Sequence, residues 1–101
     1  MMTEPMTIEH FADKQGQAFE LFVTTAEPLP LTLVEVRAAG KSNDPARFRD
    51  PFFLFFEGTP GRLCPQSIYR VRHGSGWEAE LFLVPIGDKP DGTYVYQSVF
   101  A

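Results

Sequence analysis

The sequence predicts a mainly β protein, either a small antiparallel six-stranded barrel or a strongly curved sheet, with one short helix at the N-terminus. The first observation is that the ten phenylalanines, within an aromatic content of 14%, fall mostly in short strand-like runs. The second is that turn-rich connections separate these runs, as is usual between antiparallel strands. A length of 101 residues suits a single domain spanning residues 1–101.

The first predicted element is the helix, over residues 7–15. Thr7 is suited to cap its N-terminus, and Met6 and Phe11 occupy the two positions of a hydrophobic staple. Gly16 is placed to end it. A helix this short is not stable alone, so its narrow apolar face needs a surface to pack on.

Six further segments have the alternating or short apolar runs, bounded by Gly or Pro, that are typical of strands. In the second of them the apolar face changes between Leu33 and Val34, with Val36 following Val34, which indicates a bulge or a strand covered on both sides. The polar stretch from Gly40 to Pro51 has no periodicity and is predicted to be a mobile loop. The predicted strands cover residues 17–23, 31–38, 52–57, 67–73, 77–84 and 94–100.

The fourth and fifth predicted strands can be registered against each other. They are joined by the three residues from Gly74 to Gly76, a loop suited to a hairpin in which His73 faces Trp77. That register places two pairs of opposite charge on one face of the hairpin, Arg72 with Glu78 and Arg70 with Glu80. It gathers an apolar set on the other face, which is predicted to be core: Tyr69, Val71, Ala79, Leu81 and Leu83.

The third predicted strand, in "PFFLFFEG", is apolar at five consecutive positions, so both of its faces are apolar. One face joins the core, and the other, most simply that of Phe53 and Phe55, joins the outward residues of the hairpin. The sequence alone leaves open which face of Phe52–Phe56 points inward. We expect this outer set to be an apolar patch of the kind that marks an interface. It is either covered by Ile8, Phe11 and Met6 of the helix or bound by another subunit or protein, and both can hold. The candidate partner-contact residues are Phe53, Phe55, Ile68, Phe82 and Val84.

Charge and composition argue against several classes of function. The net charge of −4 and a basic run interrupted by Asp44 and Asp50 do not suit a nucleic-acid binder, for which phosphate neutralisation dominates affinity. In "SIYRVRH" the register sends Tyr69 and the arginines to opposite faces, so they form no stacking platform for bases. The sequence has no signal peptide and no apolar run long enough for a membrane span, so we expect a cytoplasmic protein without a membrane partner.

No reactive constellation is evident, so we expect no enzyme, no cofactor and no metal. His10 and His73 are not placed together, and no ligand spacing of the zinc type occurs. A single cysteine, Cys64, excludes an intrachain disulfide and is better explained as a small buried apolar residue than as a nucleophile. Glu78 and Glu80 have the spacing of paired carboxylates, but their predicted arginine partners account for them. The turn "GDKPDG" lacks the ligand pattern of a calcium loop.

Five segments in order resemble a bacterial domain-of-unknown-function family of similar length: "GQAFELF", "FFLFFEG", "CPQSIYRVRH", "ELFLVPIG" and "YQSVF". The resemblance extends from Phe11 to Phe100, and this chain departs from it in having Cys64 where Leu is more frequent and "GSGW" in the hairpin. Members often lie beside genes for phage tail-collar-like proteins. The resemblance therefore implies an accessory role in assembling such proteins, and it assigns no functional residue.

The leading functional hypothesis is a non-enzymatic protein-interaction or assembly module that binds itself or another protein. The alternative is a carrier that holds a small apolar ligand inside the barrel. Against the carrier, several large aromatic residues are expected to fill a barrel this small. The filling residues would be Phe19, Tyr69, Trp77, Tyr96 and Phe100.

Overall fold

A computed structural model describes residues 8–23, 28–40 and 51–100. Within them, six antiparallel strands close into a barrel in the order β1-β2-β3-β6-β5-β4, and one short helix, α1, precedes them. The predicted fold class is therefore confirmed, with the closed barrel in place of the open curved sheet. The elements are α1 Glu9–Ala12, β1 Ala18–Phe22, β2 Pro28–Ala38, β3 Phe52–Glu57, β4 Ser67–His73, β5 Glu78–Asp88 and β6 Tyr94–Phe100.

Two strands are longer than predicted. β2 begins at Pro28, although proline has no amide hydrogen to donate. The Leu33 amide donates to the Gln17 carbonyl (3.1 Å), so the odd-numbered residues of β2 are those hydrogen-bonded to β1. The backbone nitrogens of the two even-numbered prolines therefore point away from β1. Pro28 and Pro30 thus need no donor there. β5 continues to Asp88 because the register shifts between Pro85 and Gly87, and this bulge absorbs a residue without ending the pairing with β6.

The barrel consists of two meanders with the same connectivity, β1-β2-β3 and β4-β5-β6. The central strand of each is 11 residues long and pairs with one neighbour through its first half and with the other through its second half. Each also carries a bulge, after Leu33 in β2 and after Pro85 in β5. The bulge predicted in β2 is therefore present, and it brings Val36 opposite Leu54, on the core side.

The orientation of β3 answers which face of the phenylalanine-rich strand lies inside. Phe52, Leu54 and Phe56 are fully buried, while Phe53 and Phe55 point outward. Inside the barrel the rings of Phe52 and Phe100 stack with centroids 4.5 Å apart, and those of Phe19 and Phe56 meet edge to face at 5.6 Å. Side chains from all six strands thus meet in one aromatic-rich core.

Helix α1 closes one mouth of the barrel. Its Phe11 is 0% exposed, and its ring lies 5.9 Å from Phe52, 5.7 Å from Phe100 and 5.3 Å from Trp77. The alternative in which the helix covers the outer face of β3 is wrong for Phe11 and Ile8. The rings that Phe11 contacts on β3 and β6 belong to inward-facing residues, and Ile8 packs against the core. A helix of four residues buries only one large side chain, Phe11. That side chain lies in the barrel mouth because aromatic rings contact it there on several sides. Thr7, Met6 and the central part of the Gly40–Pro51 loop lie outside the described residues.

The hairpin register is as predicted: Arg72 pairs with Glu78 and Arg70 with Glu80, and the His73 amide donates to the Trp77 carbonyl (2.8 Å). The ion pairs are different. Arg72 binds Glu20 of β1, with Nη2 2.7 Å from Oε1, and Arg70 lies 3.7 Å from Glu78. Closing the barrel brings β1 beside β4, and this neighbour could not be deduced from the hairpin alone.

Two tyrosines hold the connection between β3 and β4. The Cys64 amide donates to Tyr96 Oη (2.8 Å), and the Tyr69 hydroxyl donates to the Pro65 carbonyl. Cys64 is itself buried, as predicted for a small apolar residue. The connection also packs against the ring of Tyr96 at Gly58, where an added Cβ would lie 2.9 Å from Tyr96 Cε2.

We therefore expect Gly58→Ala to lower the free energy of unfolding by about 1–3 kcal/mol, because the methyl group must displace a fully packed ring. Urea denaturation of both proteins measures this. Gly74→Ala is the control, since an added Cβ there meets nothing within 4 Å. Equal stability of the two variants would contradict the close packing of Gly58 on Tyr96.

Alkaline pH provides a second test of this connection. Burial raises the pKa of Tyr96 to about 12, from an ordinary value of 10.0. The folded protein therefore keeps the phenol proton at pH values where the unfolded chain loses it. Ionisation of Tyr96 therefore leaves the free energy of unfolding unchanged below pH 10 and lowers it as the pH rises from 10 towards 12.

We expect the free energy of unfolding of the wild type to fall across that range and Tyr96→Phe to flatten the fall. At neutral pH the same variant should cost about 1–3 kcal/mol, because the buried Cys64 amide loses its acceptor. Denaturant titrations at several pH values measure both effects. A pH dependence unchanged by the substitution would show that Tyr96 does not titrate as described.

Candidate functional site

The outer surface of the barrel carries a group of apolar side chains on neighbouring strands, here called the apolar stripe. It includes the five predicted contact residues and one that the prediction missed. All six point away from the core, and they lie on four strands that are consecutive around the barrel, β3, β6, β5 and β4. The stripe consists of Phe53, Phe55, Ile68, Phe82, Val84 and Val99.

Strand pairing makes the half of the stripe on β3 and β6 contiguous. Phe53 lies directly opposite Val99, and Phe55 lies opposite Gln97. The rings of Phe53 and Phe55 are neighbours on the same strand, with centroids 6.4 Å apart. Gln97 in turn lies opposite Val84, which carries the surface onto β5.

The other half of the stripe is on β5 and β4. Val84 and Phe82 are two residues apart on β5 with buried Leu83 between them, so both face outward. Phe82 lies opposite Ile68 of β4. Direct cross-strand partners have Cβ atoms about 5 Å apart, so these pairs form one surface.

The three most exposed residues of the stripe lie on three different strands, β4, β6 and β5. Ile68 is 63% exposed, Val99 52% and Phe82 46%, whereas Phe53, Phe55 and Val84 are half-buried. A strand residue on the wet face of a sheet is ordinarily polar. Several large apolar side chains together on such a face are the usual mark of a surface with a partner.

A pair of opposite charges borders the stripe at its β3 end. Arg37 and Glu35 of β2 form an ion pair (2.7 Å), and the Arg37 guanidinium lies 5.0 Å from the centroid of the Phe55 ring. The cation covers part of the ring, which contributes to the half-burial of Phe55. The two charges cancel, so this border gives the stripe no net charge.

The neighbouring outer face, on β1 and β4, has a different character. Arg72 binds Glu20 there, and the guanidinium groups of Arg70 and Arg72 lie 4.4 Å and 5.0 Å from the ring centroid of Phe22. Its charged and aromatic groups are thus engaged with one another.

The groups considered for chemistry do not come together. The ring nitrogens of His73 lie within hydrogen-bonding distance of Ser75 and Gln17, and Cys64 is buried within the β3–β4 connection. Over residues 8–23, 28–40 and 51–100, no group of three His, Cys, Asp or Glu side chains is arranged to hold a metal ion. Among the helices in the same ranges, none is long and apolar enough to cross a membrane.

Val99 is the stripe residue that sequence reasoning missed, although a signal for it was present. Tyr96 and Phe100 were expected to point inward, and residues that alternate with them along a strand point outward. Val99 precedes Phe100 and is 52% exposed, as that alternation requires. Once Tyr96 and Phe100 are assigned to the inner face of β6, the sequence therefore indicates an outward-facing apolar residue at position 99.

Comparison with protein families decides where this barrel belongs. The model of a family described as "Domain of unknown function (DUF6916)" matches residues 6–100, nearly the whole chain. The chain belongs to the DUF6916 family. No curated protein and no solved structure matches it significantly. Within the DUF6916 domain, the matched region contains every strand of the barrel and all six residues of the apolar stripe.

Proposed function

We propose that this DUF6916 domain is a non-enzymatic protein-interaction or assembly module that binds its partner through the apolar stripe. The observation that carries the proposal is the position of helix α1. Because Phe11 enters the barrel mouth, the helix does not cover the stripe, and Ile68, Phe82 and Val99 stay exposed. Removing such side chains from water on binding provides the driving force.

The non-enzymatic part of the proposal is supported by how the polar groups are used. The arginines of β4 are engaged with carboxylates and an aromatic ring, and His73 contacts Ser75 and Gln17. The buried tyrosines secure a loop through Cys64 and Pro65. Each of these groups has a structural role that accounts for it.

The finer proposal is a partner of the phage-tail type. It is supported only by the resemblance of the five sequence segments and the gene neighbourhood that the resemblance implies. The alternative function, an apolar-ligand carrier, is disfavoured by ring contacts such as the 4.5 Å stacking of Phe52 on Phe100 inside the barrel. These contacts place side chains where a ligand would have to bind.

Photo-cross-linking in the cells of origin tests the proposal. Phe82 is replaced by the photoreactive p-benzoylphenylalanine, and a matched protein carries the same group at Ser75, at the exposed hairpin tip roughly 23 Å along β5. We expect a discrete adduct from position 82 and none from position 75. Mass spectrometry of the adduct then shows whether the partner is a second copy, a tail-like protein or another protein. The same adducts from both positions, or none, would overturn the proposal.

A further inference from the structure

We infer that the barrel is internally duplicated: it consists of two copies of one three-stranded unit, related by a twofold axis. The first unit is β1-β2-β3, and the second is β4-β5-β6. The two units then serve as references for each other. An outward-facing residue that the fold requires should recur in both units, whereas one that serves binding should occur in one.

The two bulges set the correspondence between the units. The ladder from β2 to β3 passes over Val34, and the ladder from β5 to β6 passes over Ile86. Counting from these positions along the paired strands gives each residue of one unit a counterpart in the other. Three pairs of counterparts are buried in both units: Leu21 with Tyr69, Leu31 with Leu83, and Phe56 with Tyr96.

Pairing between the units provides an independent check on this correspondence. A twofold axis between two equivalent antiparallel strands can place a residue directly opposite its own counterpart. The bulges make Phe22 the counterpart of Arg70, and these two residues lie opposite each other where β1 meets β4. Phe56 and Tyr96 likewise lie opposite each other where β3 meets β6. A single axis through both pairs therefore exchanges the units.

The segments that precede the units have equivalent positions as well. Helix α1 precedes β1 and buries Phe11, and the β3–β4 connection precedes β4 and buries Cys64 beside Tyr96. In the ring of six strands, the contact of β1 with β4 lies opposite the contact of β3 with β6. The axis thus crosses the barrel and exchanges its two mouths, each of which receives a side chain from a lead segment.

Counterparts on the outer face separate two kinds of apolar residue. Phe55 and Val95 are counterparts, and both are apolar and half-buried, so an apolar residue there belongs to the shared unit. The stripe residues of the β4–β5 hairpin have no large aliphatic or aromatic counterpart: Ile68 corresponds to Glu20, Phe82 to Pro30 and Val84 to Thr32. Since the first unit folds without such side chains, those of the hairpin are explained by the proposed binding.

Thermal denaturation of two matched variants tests the duplication. Val84→Thr and Val95→Thr make the same change at outward-facing, half-buried valines, so burial alone predicts equal effects. The counterpart of Val84 is Thr32, and we expect Val84→Thr to lower Tm by less than about 2 °C. The counterpart of Val95 is Phe55, and Val95→Thr should lower Tm by about 4–8 °C. Equal decreases, or the larger one for Val84→Thr, would overturn the inference.

Photo-cross-linking tests the part of the inference that rests on the proposed function. The double variant Ile68→Glu/Val84→Thr carries p-benzoylphenylalanine at position 82. It should remain folded and give at least about 10-fold less adduct than the protein with Ile68 and Val84. An undiminished adduct would show that the hairpin residues do not serve binding. The absence of any adduct without these two substitutions would remove the proposed function, and the comparison of Val84 with Val95 would still decide on the duplication.

Discussion

Phe11→Ala is expected to lower the free energy of unfolding by about 3–4 kcal/mol, the cost of truncating a fully buried phenylalanine. Phe11 is 0% exposed, and its ring lies within 6 Å of the Phe52, Trp77 and Phe100 rings. Truncation leaves a cavity in the barrel mouth and removes aromatic contacts on three sides. For a domain of this length the loss corresponds to a decrease in Tm on the order of 15–25 °C.

Thermal and urea denaturation followed by circular dichroism measure this effect. The matched control is Phe82→Ala, which truncates a side chain that is 46% exposed and should cost less than about 1 kcal/mol. The comparison distinguishes two positions of the helix. If α1 lay on the outer surface, both substitutions would have similar small effects, and equal losses of stability would contradict its place in the barrel mouth.

Phe82→Asp is expected to reduce partner binding at least about 30-fold while the barrel remains folded. The substitution removes an exposed apolar contact of the stripe and places a carboxylate where the partner would have to desolvate it. The cost to folding is small by comparison, about 1 kcal/mol or less, because Phe82 contributes to no part of the core.

Binding to the protein identified by cross-linking, measured by calorimetry, checks this result, and circular dichroism checks the fold. Phe55→Asp should weaken binding as well, since Phe55 lies on the same stripe. Leu63→Asp changes an equally exposed leucine in the β3–β4 connection and should leave the affinity unchanged. Unfolding of the Phe82 variant, or loss of affinity in the Leu63 variant, would show that the stripe is not a binding face.

Much of the barrel was predictable because local patterns specify it. Five consecutive apolar residues give β3 two apolar faces. One face must join the core, and the other must be covered or bind a partner. The structure places Phe52, Leu54 and Phe56 inside. The hairpin register followed from a glycine loop and two charge pairs, and the observed pairing of β4 with β5 is the predicted one. Alternation along these strands grouped Phe53 with Phe55, and Phe82 with Val84, and the structure places both groups on the outer surface.

What the sequence by itself determined is the set of strands and which residues of each strand share a face, because strand periodicity and turn residues are local properties. Which face of β3 lies inside was decided by the structure. Only the tertiary structure decided which strands are neighbours in space. Closure of the barrel brought β1 beside β4 and gave Arg72 its partner Glu20. It also created the mouth that holds Phe11, and so left the apolar stripe uncovered by α1. These contacts join residues far apart in the chain, and their formation depends on the packing of the whole barrel.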